Sequence, residues 1–361
     1  MGTAYLILEN GAVFKGQSFG HDGEAIGELV FTTGATGYLE TLSDPAYFGQ
    51  IVLQTFPLIG NYGVIPKDFG PGTTHLNAYI VREWCQEPSN FRSEGNLDSF
   101  LRAHKTPGLS GIDTRSLTRI IREEGTMNAM LSKSPELSRE QWSALRGHKV
   151  TGAVAEVMKG ETGGTSYHNI MGVSGRSQNA RFLLWDFAGS QMLFSLLTDC
   201  RCISAVATYN VSALDILEHK PDGVVISGGP GDPAENVGAI EQIARLCGRG
   251  VPIWGVGLGH QMLALARGAS TEKLHFGHRG ANQPVRDLKT GRVFVTAQNH
   301  GYAVAKASLP QGAAMRYESL NDATCEGIDY SDVPAFSVQF DPTAEFVERF
   351  IAMAKEAPIC R

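Results

Sequence analysis

Along residues 4–14 the apolar positions fall into two runs on either side of Asn10-Gly11. That pattern predicts a β-hairpin closed by a type I′ turn, in which both central residues take positive φ. Short apolar runs at 29–33, 51–56 and 78–82 read as further strands. A helix is predicted over 113–124, where Asp113 can cap and Leu117, Ile120 and Ile121 form one stripe. Another helix begins at Ser138, with Gln141 three residues later completing a capping box. The first 150 residues therefore read as mixed α/β, strands first and helices later.

Residues 151–179 are polar and rich in glycine and show no sustained period, which suits a connecting segment between domains 1–150 and 180–361. Beyond them the pattern changes. Apolar runs at 181–187, 202–209, 223–227 and 251–256 alternate with helical stretches at 191–198, 212–219, 234–247 and 260–267. Four such alternations predict right-handed βαβ units and a mostly parallel sheet flanked by helices. Strands at 293–297 and 335–340 precede a terminal helix carrying Phe346, Phe350, Ile351 and Ala354. No internal repeat is present. The expected fold class is α/β throughout.

Length agrees with two domains, since 361 residues suffice for two cores. With 37 acidic and 31 basic residues there is no basic excess to engage nucleic acid. No apolar run reaches the roughly 18 residues of a membrane span, and no signal sequence is evident, so neither membrane nor export is expected. Six scattered cysteines argue against a disulfide framework and for a reducing, cytoplasmic setting. The 42 glycines are more than usual for this length, and they cluster in short motifs.

Three of those motifs fall at predicted strand ends, where ligands bind in parallel α/β folds. Ser227-Gly-Gly-Pro-Gly-Asp-Pro233 can converge backbone N–H groups on an anion or oxyanion, or can be a plain turn. Gly255-Val-Gly-Leu-Gly-His260 has its third glycine one residue too early for a dinucleotide fingerprint. A nucleophile elbow, with small residues flanking a strained central position, fits better. Gln298-Asn-His-Gly-Tyr302 offers amide and backbone groups to a polar ligand.

Taken with TGYLETLSDPAYFGQIV, PLIGNYG and GIDTRSLTRIIREEGTM in the first half, and SGGPGDP, GLGHQMLALARGA, FGHRGANQPV, TAQNHGYAV and PAFSVQ in the second, the chain resembles the small, glutamine-amidotransferase subunit of carbamoyl-phosphate synthetase. The resemblance covers nearly all of it. It implies a family-specific N-terminal domain followed by a class I glutamine-amidotransferase-like domain. It also implies an activity in which a cysteine on the elbow attacks the glutamine side-chain amide, assisted by a histidine base and an orienting glutamate. The released ammonia would pass to a large subunit using ATP and bicarbonate. No cofactor and no metal are implied on this chain.

At the family's catalytic positions this chain differs. The nucleophile position is Gly257, the base position Asp341 and the orienting position Thr343. The family's turn after the first βα strand carries glycine, a basic residue and asparagine; here 186–192 has no basic residue. Where the family has a serine that helps hold glutamine, this chain has Gly34. The resemblance assigns Gly229, Gly231, Leu258, Gln261, Asn299, Gly301 and Tyr302 to the glutamine pocket, with Leu258 supplying an oxyanion N–H. None of Cys85, Cys200, Cys202, Cys247, Cys325 or Cys360 has an elbow context. His260 reads as structural and His300 as a possible ligand contact. His275 and His278 have a spacing that would suit a metal only on a helix, which Gly277 and Gly280 argue against. The expected function is a homologue unable to hydrolyse glutamine that serves as a structural or regulatory partner of a large subunit in pyrimidine and arginine synthesis. The alternatives are an active glutaminase by an atypical route and a stand-alone sensor of glutamine or a related amino acid.

Overall fold

The computed structural model describes residues 2–69, 73–161, 170–173 and 179–357. The chain divides into two compact units, Met1–Ala153 and Val154–Arg361.

In the first unit seven strands close into a barrel, in the spatial order Thr3–Leu8, Val13–Gly20, Pro107–Ser110, Ala78–Ile80, Gln50–Gln54, Ala25–Thr32 and Met127–Ser132. Barrel interior on one face and covering helices on the other explain why Gln50–Gln54, Ala78–Ile80 and the end of Ala25–Thr32 are buried at successive positions. Val30, Val52 and Tyr79 share a register row and pack with Leu39, Leu42, Leu97 and Leu101 of the covering helices. The neighbouring row Leu29, Ile51 and Ala78 is also fully buried and faces the opposite way. The opening hairpin forms, but its turn differs from type I′. Gly11 N–H bonds the Leu8 carbonyl at 2.9 Å and Gly11 alone takes positive φ, +93°, while Asn10 does not. This is a three-residue loop with a bulge glycine, which supplies the same strand twist with a single left-handed residue. Asp113 caps the helix Thr114–Glu124 by accepting from Ser116 N–H at 3.0 Å, and the Ser138–Gln141 capping box forms in full.

The stretch 151–179 is not simply a connector. It holds a helix, Ala153–Glu161, and a short strand, Ile170–Gly172, that pairs antiparallel with Ile203–Thr208. Ala153, Val154, Val157 and Met158 are buried on one face of that helix. The run is only two turns long and merges into glycine-rich sequence, so its period is hard to see. Residues 162–169 and 174–178 of this stretch lie outside the described residues.

The second unit is built on a ten-stranded sheet. Its central five strands, Ile203–Thr208, Phe182–Asp186, Gly223–Ile226, Ile253–Val256 and Ala335–Val338, are parallel in that order. Helices Gln191–Asp199, Ala213–Glu218, Val237–Gly248 and Leu258–Ala266 connect them. Beyond Ala335–Val338 the sheet turns antiparallel through Cys325–Tyr330, Val293–Val304, Thr271–Asp287 and Ala313–Ser319. Trp254, Phe336, Phe346, Phe350 and Phe182 fill the core between sheet and terminal helix, Ala344–Glu356. Phe182 and the two strands beside it mark where chain order reverses, and the crevice above their carboxyl ends is where this architecture binds ligands.

Candidate functional site

Three loops meet at that crevice. Gly189 and Gly228 form an isolated bridge between the loops after Phe182–Asp186 and Gly223–Ile226. A Cβ on Gly189 would lie 2.5 Å from the Gly228 carbonyl carbon, and one on Gly229 would lie 2.1 Å from the Phe187 carbonyl oxygen. Both positions demand glycine for close backbone approach. Gly231 has φ +86°, a second reason for glycine in this loop.

The third loop is the turn from Ile253–Val256 into Leu258–Ala266. Gly257 sits at its apex with φ 56° and ψ −115°, and its N–H bonds the Val338 carbonyl at 2.9 Å. The flanking glycines are sterically obligatory. A Cβ on Gly255 would stand 2.5 Å from the Gly259 carbonyl oxygen, and one on Gly259 would stand 2.4 Å from that of Ile226. Gly257 is different: its nearest neighbour would be Gly228 Cα at 3.2 Å, then the Gln339 carbonyl oxygen at 4.0 Å. The strained elbow is fully built; a Cβ at its apex would ask Gly228 to give by only a few tenths of an ångström, and none is there. Leu258, its side chain buried, is the first residue of the helix, and the N–H after it, that of Gly259, is bonded to the Ser227 carbonyl at 3.0 Å.

The other residues that the resemblance assigns to the glutamine site lie on several elements. Gln261, one turn into the helix, donates from Nε2 to the Tyr302 carbonyl at 2.6 Å and to Gln339 Oε1 at 2.8 Å. Its amide N–H groups are thereby spent inside the protein. Asn299, Gly301 and Tyr302 lie on Val293–Val304, half-buried. Asp341 and Thr343 are exposed in the segment after Ala335–Val338, which passes the elbow. Asp341 N–H bonds the Ala297 carbonyl at 3.0 Å, and Thr343 is the N-cap residue of the terminal helix without a side-chain capping bond. Gly34 belongs to the first unit, just after Ala25–Thr32. Its carbonyl accepts from Gln54 Nε2 at 2.5 Å, and a Cβ would find nothing closer than the Thr36 carbonyl oxygen at 3.3 Å. Like Gly257, it is a glycine that crowding does not require.

Among the described residues no cysteine lies on the elbow turn. Burial pushes the pKa of Cys202 and Cys247 to about 11 and that of Cys325 to about 12, so none is a thiolate near neutrality. Burial also raises that of Cys200. Cys85 belongs to the first unit, and Cys360 lies outside the described residues.

The histidines are arranged otherwise than their spacing suggests. His260 is wholly buried, meets Ser337 Oγ at 2.7 Å, and is held neutral by burial with its pKa lowered to about 4. His275 and His278 share the strand Thr271–Asp287 rather than a helix, and His278 pairs across the ladder with His300. His278, His300 and Glu326 come together as a buried cluster, each less than a tenth exposed. Burial would lower the pKa of His278, but the carboxylates of Asp322 and Glu326 outweigh it and hold it at about 9, whereas burial takes that of His300 down to about 4. Gln298 opens the motif that read as a polar-ligand loop and shares a strand with His300, whereas Glu326 carried no signal in the sequence. It reaches the histidines only because Cys325–Tyr330 joins the same sheet.

A parallel sheet whose fourth strand feeds a strained elbow against two glycine loops, preceded by a separate barrel, defines a class I glutamine amidotransferase fold joined to a second domain. The family models agree: the carbamoyl-phosphate synthase small chain, CPSase domain, matches residues 6–131, and class-I glutamine amidotransferase matches residues 183–348. The carbamoyl phosphate synthase small chain of Oceanobacillus iheyensis is 46% identical over 340 residues, covering 94% of this chain and 90% of that one. That of Bacillus caldolyticus is 44% identical over 361 residues, 97% and 96% of the two chains. The pyrimidine-specific small chain of Bacillus subtilis is 43% identical over 361 residues, 96% and 95% of the two chains. The chain belongs to the carbamoyl-phosphate synthase small chain family.

Proposed function

We propose that this chain is a small-chain homologue that has lost glutamine hydrolysis and acts as a non-catalytic partner of a synthase large subunit. The observation that carries the reading is the apex of the elbow. Covalent amide hydrolysis needs a nucleophile at that point, and Gly257 offers only hydrogen on its Cα. Asp341 and Thr343 at the base and orienting positions cannot supply the missing step. A carboxylate could steer a water, but without the covalent intermediate the rate should fall by several orders of magnitude. In this reading the large subunit uses ATP, bicarbonate and free ammonia to make carbamoyl phosphate for pyrimidine and arginine synthesis, in the cytoplasm. The chain itself carries no organic cofactor. In this reading Gly229, Gly231, Leu258, Gln261, Asn299, Gly301 and Tyr302 are the remains of a glutamine pocket, and Gly34 stands where the family has a glutamine-holding serine. Glycines that close backbone approach demands would persist there whether or not glutamine still binds.

Two measurements test this. The full chain should release no ammonia from glutamine above the rate of a sample without protein. Co-expressed with a large subunit from the same genome, it should co-purify with it, and the complex should make carbamoyl phosphate from ammonium but not from glutamine. A glutaminase rate typical of an enzyme that an Asn299→Ala substitution abolishes would overturn the loss of hydrolysis. Failure to bind the large subunit, with amino-acid binding by calorimetry, would replace the partner role by a sensor.

A further inference from the structure

The buried cluster on Thr271–Asp287, Val293–Val304 and Cys325–Tyr330 gathers several acceptors around two imidazoles. His300 Nδ1 lies 2.8 Å from the Tyr302 carbonyl, which can only accept, so Nδ1 carries the hydrogen and a neutral ring has its lone pair on Nε2. That lone pair faces Gln298 Oε1 at 3.0 Å and Glu326 Oε2 at 3.9 Å. Asp322 and Glu326 favour a proton on each nitrogen of His278; Nε2 is held by Asp322 Oδ2 at 2.8 Å, and the proton a cation would displace is the one on Nδ1. That nitrogen faces Gln298 Oε1 and Glu326 Oε1, each at 3.2 Å. Flipping Gln298 does not help. Its Nε2 donates to Thr296 Oγ1 at 3.0 Å, and that hydroxyl already gives its hydrogen to the Gln283 carbonyl at 2.9 Å, so a flip would set two acceptors together. Glu326 is fully buried, and its Oε2 has no hydrogen-bond partner among the described residues. Protons alone would satisfy these atoms only with both imidazoles charged in a closed interior.

One divalent cation supplies the same charge through the lone pairs. Donors about 2.0–2.2 Å from a tetrahedral zinc stand roughly 3.3–3.6 Å apart, and the distances above, 3.0 to 3.9 Å, bracket that range. The outer nitrogens are already anchored by a carboxylate and a backbone carbonyl, the supports that orient metal-binding histidines. We propose that His278 Nδ1, His300 Nε2, the Glu326 carboxylate and Gln298 Oε1 form a structural site for a first-row divalent cation of the zinc class. Two imidazoles with a carboxylate favour such an ion over magnesium or calcium. It would tie Thr271–Asp287, Val293–Val304 and Cys325–Tyr330 together. The Tyr302 carbonyl, shared by His300 and Gln261, would pass that rigidity to the elbow helix. The inference stands whether or not the chain hydrolyses glutamine.

Because the cluster is closed, the ion must enter during folding. The full chain should be produced in zinc-supplemented medium, gel-filtered, and its metal content measured by mass spectrometry. About one zinc per chain is expected in the native protein and in His275→Gln, which removes a histidine of the same strand outside the cluster. Glu326→Gln should retain at least tenfold less. Chain made with cobalt in place of zinc should show the visible bands of four-coordinate cobalt with nitrogen and oxygen ligands, a readout that needs no variant to fold. Less than a tenth of a zinc in the native chain, equal zinc in Glu326→Gln, or a six-coordinate cobalt spectrum would each overturn the site.

Discussion

Restoring a side chain at the elbow tests the central reading most directly. In Gly257→Cys the new Cβ would meet Gly228 Cα at 3.2 Å and nothing else within 3.9 Å, so little has to move. The main penalty is conformational, because φ 56° with ψ −115° is sparsely populated by L-residues. Such strain costs about 1–3 kcal/mol per residue and is what elbow nucleophiles ordinarily tolerate. Gly255→Ala and Gly259→Ala serve as contrasts, since their Cβ atoms would lie 2.5 and 2.4 Å from carbonyl oxygens of the strand-to-helix turn and of Ile226. Backbone cannot yield there without breaking the sheet–helix packing, and losses of about 4 kcal/mol or more, or failure to fold, are expected. Urea denaturation of the three variants should therefore separate Gly257 from its neighbours. The cysteine would sit at a helix N-terminus, which lowers thiol pKa, and should react with iodoacetamide faster than the buried native thiols. Adding Asp341→His and Thr343→Glu should cost little, as both positions are exposed and Thr343 makes no capping bond. The triple variant then asks whether the rest of the pocket still hydrolyses glutamine. If Gly257→Cys proved as damaging as Gly255→Ala, glycine at the apex would be a packing requirement, and the argument for a lost nucleophile would fail.

Other consequences are open to measurement. Gly34→Ser should leave stability within about 1 kcal/mol, because its Cβ would ask the Thr36 carbonyl, 3.3 Å away, to give only slightly; a larger loss in thermal denaturation would contradict that geometry. His260 is neutral in the folded chain, with its pKa near 4 against about 6.5 when unfolded. The unfolded chain therefore gains a proton below pH 6.5 that the folded chain does not. The stability His260 confers is complete above pH 6.5 and declines by about 3 kcal/mol as pH falls to 4. Urea titrations of the native chain and His260→Gln at several pH values should show the slope reduced in the variant; equal slopes would refute it. In the native state Cys202, Cys247 and Cys325 should resist alkylation until unfolding, and rapid labelling of any of them would show the core to be looser than its burial implies.

Local patterns carried much of this molecule in the sequence. Alternating apolar runs and helical stripes marked the parallel half-sheet. Asp113 and the Ser138–Gln141 pair marked helix starts, and the spacing of Gly255, Gly257 and Gly259 marked the elbow. Each depends on residues within one or two turns of one another, so its physics is written in the chain order. Closure of the N-terminal strands into a barrel was not legible, nor was the antiparallel extension beyond Ala335–Val338, because both are set by which strand edges meet. The Asn10-Gly11 turn was foreseen as a hairpin but not in its type, which depends on strand twist. The same limit hid the His278–His300–Glu326 cluster. By sequence His278 belonged with His275, three residues away, and it took the ladder to place it opposite His300 and within reach of Glu326. The amino-acid sequence alone shows that the apex of the elbow, residue 257, carries no side chain. Only the folded structure shows that Gly257, unlike Gly255 and Gly259, is not required by crowding, because that depends on backbone oxygens brought in from other turns and strands.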